Sequence, residues 1–147
     1  MIALLQRVNH ASVTVAGECI GKVDTGLLVF LCAEPQDNEA IADRLLERVL
    51  NYRIFSDEQG KMNRSVRDIQ GGVLLVPQFT LAADTRKGNR PGFSNAAAPA
   101  FGEQMFRYAW QQLQALHPNV ASGQFGADMK VALENDGPAT FWLQQNA

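Results

Sequence analysis

The chain has 147 residues, 46% of them hydrophobic and 19% charged, with a formal net charge of −2. That length is one domain with room for a real core, and the near-neutral charge excludes a protein that coats nucleic acid through bulk electrostatics. No apolar run approaches the roughly 20 residues that cross a bilayer; the opening run is cut by Gln6, Arg7, Asn9 and His10, so no signal peptide or membrane partner is expected, and a cytoplasmic location is the expectation.

Val8 to Val15 alternates, with Ala11, Val13 and Val15 on one side and His10, Ser12 and Thr14 on the other, which predicts a half-buried strand. Ala16-Gly17-Glu18 reads as a hairpin turn into a second strand, Cys19 to Val23. Leu27 to Leu31 is a continuous apolar run, fitting a strand buried on both faces. Ile41, Leu45, Leu46, Val49 and Leu50 then recur at helical spacing, with Asp37 or Asn38 as N-cap and charged Glu39, Asp43, Arg44, Glu47 and Arg48 outward. Ser56 to Gly60 reads as a turn. Gly71-Gly72 leads into a short buried strand, Val73 to Val76, whose ladder ends at Pro77 for want of an amide hydrogen.

A second helix begins near Pro99, carries Met105, Phe106, Ala109, Trp110, Leu113 and Leu116 along one stripe, and stops at Pro118. From Phe125 to Leu133 apolar residues alternate with Gln124, Asp128, Lys130 and Glu134, a strand signal. Asp136-Gly137-Pro138 is a corner before a last strand around Phe141 to Leu143. Strands grouped at both ends with two helices between them give a single α+β domain, residues 1–147, with a largely antiparallel sheet.

Much familiar chemistry is missing. Cys19 and Cys32 lack CxxC spacing and lie in apolar, strand-like segments, so both are expected as buried free thiols. With two histidines and two scattered cysteines, no metal site and no cofactor are expected. There is no G-x-S-x-G elbow, P-loop, dinucleotide fingerprint or HExxH. His10, on the polar side of a strand, and His117, between a helix end and a proline, read as structural, which is not the pattern of a Ser-His-Asp hydrolase.

Two segments carry the signal: VPQFTLAADTRKGNRP, Val76 to Pro91, and NDGPAT, Asn135 to Thr140. Together with the opening IALLQRV they resemble the D-aminoacyl-tRNA deacylase family, and the resemblance runs from Met1 to Leu143. Gln78, Phe79 and Thr80 match the first family segment; Asn135, Gly137, Pro138 and Thr140 match its Asn-x-Gly-Pro-x-Thr segment. Pro77 stands where the family usually has serine, a feature of a related group of deacylases that tolerates L-alanine. Phe79 and the Asn-Asp-Gly-Pro pattern match the D-specific group; Cys32 and Gly92 replace a usual glycine and serine.

The resemblance implies a three-layer β/β/α fold, an obligate two-fold homodimer, and hydrolysis of the ester of D-aminoacyl-tRNA, with glycyl-tRNA also cleaved. It makes the Gln78-Phe79-Thr80 segment the wall of a pocket for the terminal adenosine and amino acid, with backbone amides suited to an oxyanion. It makes Gly137-Pro138 a cis wedge that enters the partner's pocket and collides with an L side chain. Arg7 is either the arginine that holds this wedge or a plain surface-strand arginine, while Asn135 and Thr140 flank it and fix its backbone. Thr80 has two readings: a hydroxyl nucleophile, for which no base is encoded nearby, or a residue that bonds local backbone. Arg86, Lys87 and Arg90 place three cations in five residues, either a tRNA-phosphate contact or a solvated loop shaped by Asp84 and Thr85. The competing functions are a relaxed-chirality deacylase acting on L-alanyl-tRNA and a noncatalytic module that binds nucleic-acid ends.

Overall fold

The computed structural model describes all 147 residues. In chain order its elements are β1 (Ile2–Val15), β2 (Glu18–Val23), β3 (Gly26–Cys32), α1 (Glu39–Asn51), β4 (Phe55–Ser56), β5 (Met62–Arg64), β6 (Gly72–Pro77), a 3-10 turn (Phe79–Ala82), α2 (Pro99–Leu116), β7 (Val120–Ser122) and β8 (Met129–Gln144). Two strands, β1 with 14 residues and β8 with 16, exceed the usual three to ten and organise the rest. They pair antiparallel over most of their length. The other edge of β1 is shared, Ile2 to Val8 pairing with β3 and Ala11 to Val15 with β2. β6 joins β3, and β7 joins β6, both in parallel; the remaining pairs of this sheet are antiparallel.

The strand pleat separates two cores. Leu27, Val29 and Leu31 of β3, with Val73 and Leu75 of β6, face α1 and α2 and meet Leu45, Leu46, Val49, Met105, Ala109 and Leu113. Leu28, Leu74 and Val76 point the other way, onto Val8, Ala11, Val13 and Val23, with Met129, Val131 and Leu133 packed alongside. The result is the expected α+β domain, layered β/β/α. β1 and β8 belong to both β layers. β1 crosses between them where Asn9 and His10 are both exposed and its register with β8 shifts; β8 crosses around Asn135 to Ala139. Strands commonly change sheets through such bulges.

The helices form as their patterns dictate. Asn38 caps α1, its Oδ1 accepting from the Ile41 amide at 2.9 Å. Proline opens the first turn of α2, where a missing N–H costs nothing. At the far end the buried His117 ring bonds the Gly71 carbonyl at 2.7 Å, a structural use, whereas His10 is exposed beside Glu134. No helix is long and apolar enough to cross a membrane.

Four expectations need correction. β1 begins at Ile2, not Val8, because the change of layer resets its alternation. β8 begins at Met129, not Phe125: Phe125 packs against the helix-side core from a loop that turns at Gly126, φ 78°. The Asp136-Gly137-Pro138 corner interrupts the pairing without ending the strand. Cys19 is exposed; β2 buries only Val23, so the apolar look of Cys19 and Ile20 did not report burial. Cys32 is buried, as expected. β7 and the β4–β5 hairpin around the Ser56–Gly60 turn are too short to carry a periodic signal.

Candidate active site

β3 and β6 run parallel, so their C-terminal ends reach the same edge, and a cavity of about 480 Å³ opens there. Leu31, Val76, Pro77, Gln78 and Phe79 form one wall; Phe106 of α2, Phe125, Met129 and Val131 form the other. The Gln78 amide makes the last ladder bond, to Leu31 O at 2.8 Å, and the chain then winds into the 3-10 turn. The first amides of such a turn have no carbonyl behind them. Leu81 N–H reaches Gln78 O and Ala83 N–H reaches Thr80 O, but the N–H groups of Phe79 and Thr80 donate to nothing in the chain.

Cys32 braces this turn from beneath. Its thiol lies 3.6 Å from Phe79 O and 3.5 Å from Ala33 O, and its one proton is shared between these two acceptors. Burial pushes the thiol up to about 11, with the Glu34 charge adding to the shift, so it stays neutral and acts as a strut. The Gln78 side-chain amide donates to Thr80 Oγ1. An amide is not a general base, so this contact orients the threonine hydroxyl without activating it. Thr80 is exposed and does not line the cavity.

Beyond the turn, Asp84 and Gly92 close a loop with two backbone bonds of 2.7 and 3.0 Å. A Cβ at Gly92 would find its nearest neighbour, Asp84 O, at 3.8 Å, so the serine usual in related sequences would fit. The Asp84 carboxylate accepts from Arg86 Nε at 2.9 Å and Nη2 at 2.8 Å, and from the Arg86 amide at 3.1 Å. These bonds hold its carboxyl down to about 2. Arg86 is therefore fastened, while Lys87 and Arg90 are exposed and make no ion pair. Phe93, on the same loop, is 39% exposed and its ring centroid lies 5.3 Å from that of Phe79, itself 59% exposed at the cavity mouth.

The second motif lies where β8 changes layer. Gln6 pairs with Thr140 and Val8 with Asn135, so Arg7 alone stands opposite Asp136, Gly137, Pro138 and Ala139. Arg7 Nε donates to Asp136 O at 3.0 Å and lies 3.2 Å from the Asp136 carboxylate, while Nη1 donates to Ile54 O at 2.7 Å. With 11% of its side chain exposed, this is a brace and not a free surface arginine. Asn135 Nδ2 donates to Arg7 O and to Ala139 O, both at 3.1 Å, and Gln6 Nε2 donates to Thr140 Oγ1 at 3.2 Å. The Gly137-Pro138 bond is cis, and both residues are exposed.

Within one protomer the two motifs do not meet. Neither Gly137 nor Pro138 lines the cavity. Arg7 is four residues along β1 from Ala3, the partner of Leu31 at the cavity wall, roughly 13 Å at strand spacing. Gln6, Ile54, Cys32 and Phe93 also belong to these sites, in roles that no motif marks; for Gln6 the one signal is its place in the IALLQRV opening. No three His, Cys, Asp or Glu side chains converge as metal ligands would.

Residues 4–144 match the model of the D-Tyr-tRNA(Tyr) deacylase family. A D-aminoacyl-tRNA deacylase of Pseudomonas entomophila (strain L48) is 62% identical over 144 residues, covering 98% of this chain and 99% of that one. Its counterpart in Janthinobacterium sp. (strain Marseille) is also 62% identical, over 98% and 97% of the two chains. Among solved structures, a c-Myc DNA Unwinding Element Binding Protein superposes with a TM-score of 0.94 at 38% identity over 100% of both chains. A structure described as a probable eukaryotic D-amino acid tRNA deacylase superposes with a TM-score of 0.85 over 97% of both, a likeness of fold alone at 15% identity. With the family model spanning nearly the whole chain and relatives this similar over their full length, the chain belongs to the D-Tyr-tRNA(Tyr) deacylase family and is a deacylase, a hydrolytic enzyme.

Proposed function

We propose that this deacylase hydrolyses the ester of D-aminoacyl-tRNA in the cytoplasm, releasing tRNA and the D-amino acid as a proofreading step for translation. One observation carries the reading: the unbonded amides of Phe79, which lines an apolar cavity sized for an aminoacyl end, and of Thr80 next to it in the chain. Water attack on the ester carbonyl develops charge on its oxygen, and two fixed N–H donors stabilise that charge without reorganising. The vicinal hydroxyl of the terminal ribose sits beside the carbonyl and assists proton movement, so positioning and electrostatics suffice and Thr80 is not the nucleophile.

Chirality is read by Gly137-Pro138 of a second copy in a two-fold homodimer. Its exposure, its bracing by Arg7 and Asn135, and its distance from the cavity of its own chain support delivery to a partner. An isologous contact serves both pockets at once. A backbone wedge senses where the α-substituent points and not what it is, so L residues are excluded and D residues of any kind pass, as does glycine. Lys87 and Arg90 contact phosphates near the acceptor end, while Arg86 is held by Asp84 and shapes the loop that presents them.

The test compares deacylation of D-Tyr-tRNA and L-Tyr-tRNA, with glycyl- and L-alanyl-tRNA alongside and the oligomeric state measured by sedimentation. Cleavage of the D and glycyl esters by a dimer, with L-Tyr-tRNA spared, is the expected result; equal D and L rates would sink the chirality reading. Pro77 favours a second reading, because it lines the cavity without a hydroxyl: a deacylase of relaxed chirality. L-alanyl-tRNA cleaved as fast as its D counterpart would support it, and protection of the ester without turnover would instead describe a binding module.

A further inference from the structure

Phe79 and Phe93 are two of the few large apolar side chains that remain exposed, and they lie together. Their centroids are 5.3 Å apart with the planes inclined at 54°. Phe79 lines the cavity and Phe93 does not, so the pair runs outward across the mouth from the inner wall to the loop. That loop is held in shape by the Asp84–Gly92 bridge and by Arg86 on Asp84. Lys87 and Arg90, on its tip, have no carboxylate partner. An exposed aromatic face beside uncommitted cations is the chemistry by which proteins take unpaired nucleotides: the ring stacks on a base and the cations take the backbone.

We infer that Phe93, seated against Phe79, is a stacking platform for the unpaired base next to the terminal adenosine, with Lys87 and Arg90 on the adjoining phosphates. The inference rests on the deacylase reading above, which places the terminal adenosine and its amino acid in the cavity. Given that placement, the next nucleotide of the single-stranded end leaves through the mouth. Stacked bases repeat at about 3.4 Å along a strand, so a platform one ring beyond Phe79 is reached by the neighbouring base and not by one further inside. Stacking tolerates any base because every base has a π face. Phe93 thus adds affinity for tRNA ends in general and no preference among amino acids.

The experiment compares two substrates with the same ester: D-Tyr-tRNA, and D-tyrosyl-adenosine, which ends at the first nucleoside. Phe93→Ala should lower kcat/KM for D-Tyr-tRNA about five- to tenfold, the low end of what loss of one base stack removes, and change that for D-tyrosyl-adenosine less than twofold. Phe93→Tyr, which keeps the ring, should retain the activity of the parent on both; Phe93→Leu, apolar but without a π face, should behave as the alanine variant. Equal losses on the two substrates would overturn the platform and make Phe93 a support for Phe79. Dissociation of a dimer by Phe93→Ala would assign the aromatic pair to a second copy of the chain and overturn it as well. Hydrolysis of neither substrate by the parent protein would bring down the deacylase reading itself, whereas hydrolysis of both with indifference to Phe93 would bring down this inference alone.

Discussion

A methyl group at Gly137 tests the wedge without touching the cavity. The Cβ of Gly137→Ala would lie 2.5 Å from Asn135 Oδ1, about 0.9 Å inside the 3.4 Å at which ordinary van der Waals contact begins. The Asn135 side chain is not free to swing aside, because its Nδ2 bonds Arg7 O and Ala139 O at 3.1 Å each. Moving it that far stretches both bonds to roughly 4 Å, outside hydrogen-bonding range. Each such bond contributes about 0.5–1.5 kcal/mol, and water reaches this exposed segment to replace what is given up, so the pair is worth about 1 kcal/mol. In a chain of this size that lowers Tm by about 3 °C. The larger effect falls on selectivity: a wedge displaced by about an ångström no longer meets an L side chain, and a tenfold fall in the D/L rate ratio corresponds to about 1.4 kcal/mol. Deacylation of D-Tyr-, L-Tyr- and glycyl-tRNA by parent and variant, with Tm from calorimetry, measures both. Since the clash is with Asn135, Asn135→Ala/Gly137→Ala should be no less stable than Asn135→Ala alone. A lowered Tm with an unchanged D/L ratio would remove the segment from chirality reading; an unchanged Tm would show the Gly137–Asn135 contact to be slack.

Thr80→Ala should lose less than about tenfold in kcat if backbone amides carry the chemistry; a loss near 10⁴-fold in a folded, tRNA-binding variant would make the hydroxyl a direct participant. Lys87→Ala/Arg90→Ala should raise KM and flatten its dependence on salt by about 0.7 log units per decade for each phosphate no longer neutralised, and adding Arg86→Ala should change little more because Asp84 already holds that guanidinium; an unchanged salt slope assigns the loop to solvent. Iodoacetamide at neutral pH should label exposed Cys19 and leave Cys32, whose thiol is pushed up to about 11, unlabelled in the native protein, as read by mass spectrometry. The Asp84 carboxyl is depressed, so its grip on Arg86 is complete above the ordinary carboxyl range and lost as pH falls through about 2; an Asp84 carboxyl carbon titrating near 4 would contradict the observed bonding.

Where a segment faces one core, its sequence announces its structure. α1 shows one apolar stripe, one cap and one charged back because it touches a single layer. β1 hides its first half because the inward side changes between Val8 and Ala11, and a reader counting by twos meets Asn9 and His10 as a stop. Phe125 misleads in the opposite sense: it continues the alternation of β8 but packs on Phe106, 6.4 Å between centroids, from outside the sheet. The two motifs were legible because each is a short contiguous run. What holds them was legible only in part: the family resemblance implied Arg7, Asn135 and Thr140, but nothing marked Gln6, Ile54 or Cys32. Arg7 and Asp136 are brought together only by strand register, and the brace from Cys32 to Phe79 spans 47 residues of sequence. Nothing local in those residues marks the pairing.

Clamping β8 on both sides of Asn135 to Ala139 by different cores has an evolutionary consequence. In an ordinary strand one inserted residue sends every following side chain to the wrong face. Here the register restarts at Thr140 opposite Gln6, independently of Val8 and Asn135, and four residues already occupy the length of one. The segment works as an expansion joint: its length and residues can change while Met129 to Leu133 stay seated in one core and Leu143 in the other. If the segment reads the substrate as proposed above, a lineage could retune which substrates are admitted by small insertions or replacements at the joint, and neither core would have to be rebuilt to accommodate the change.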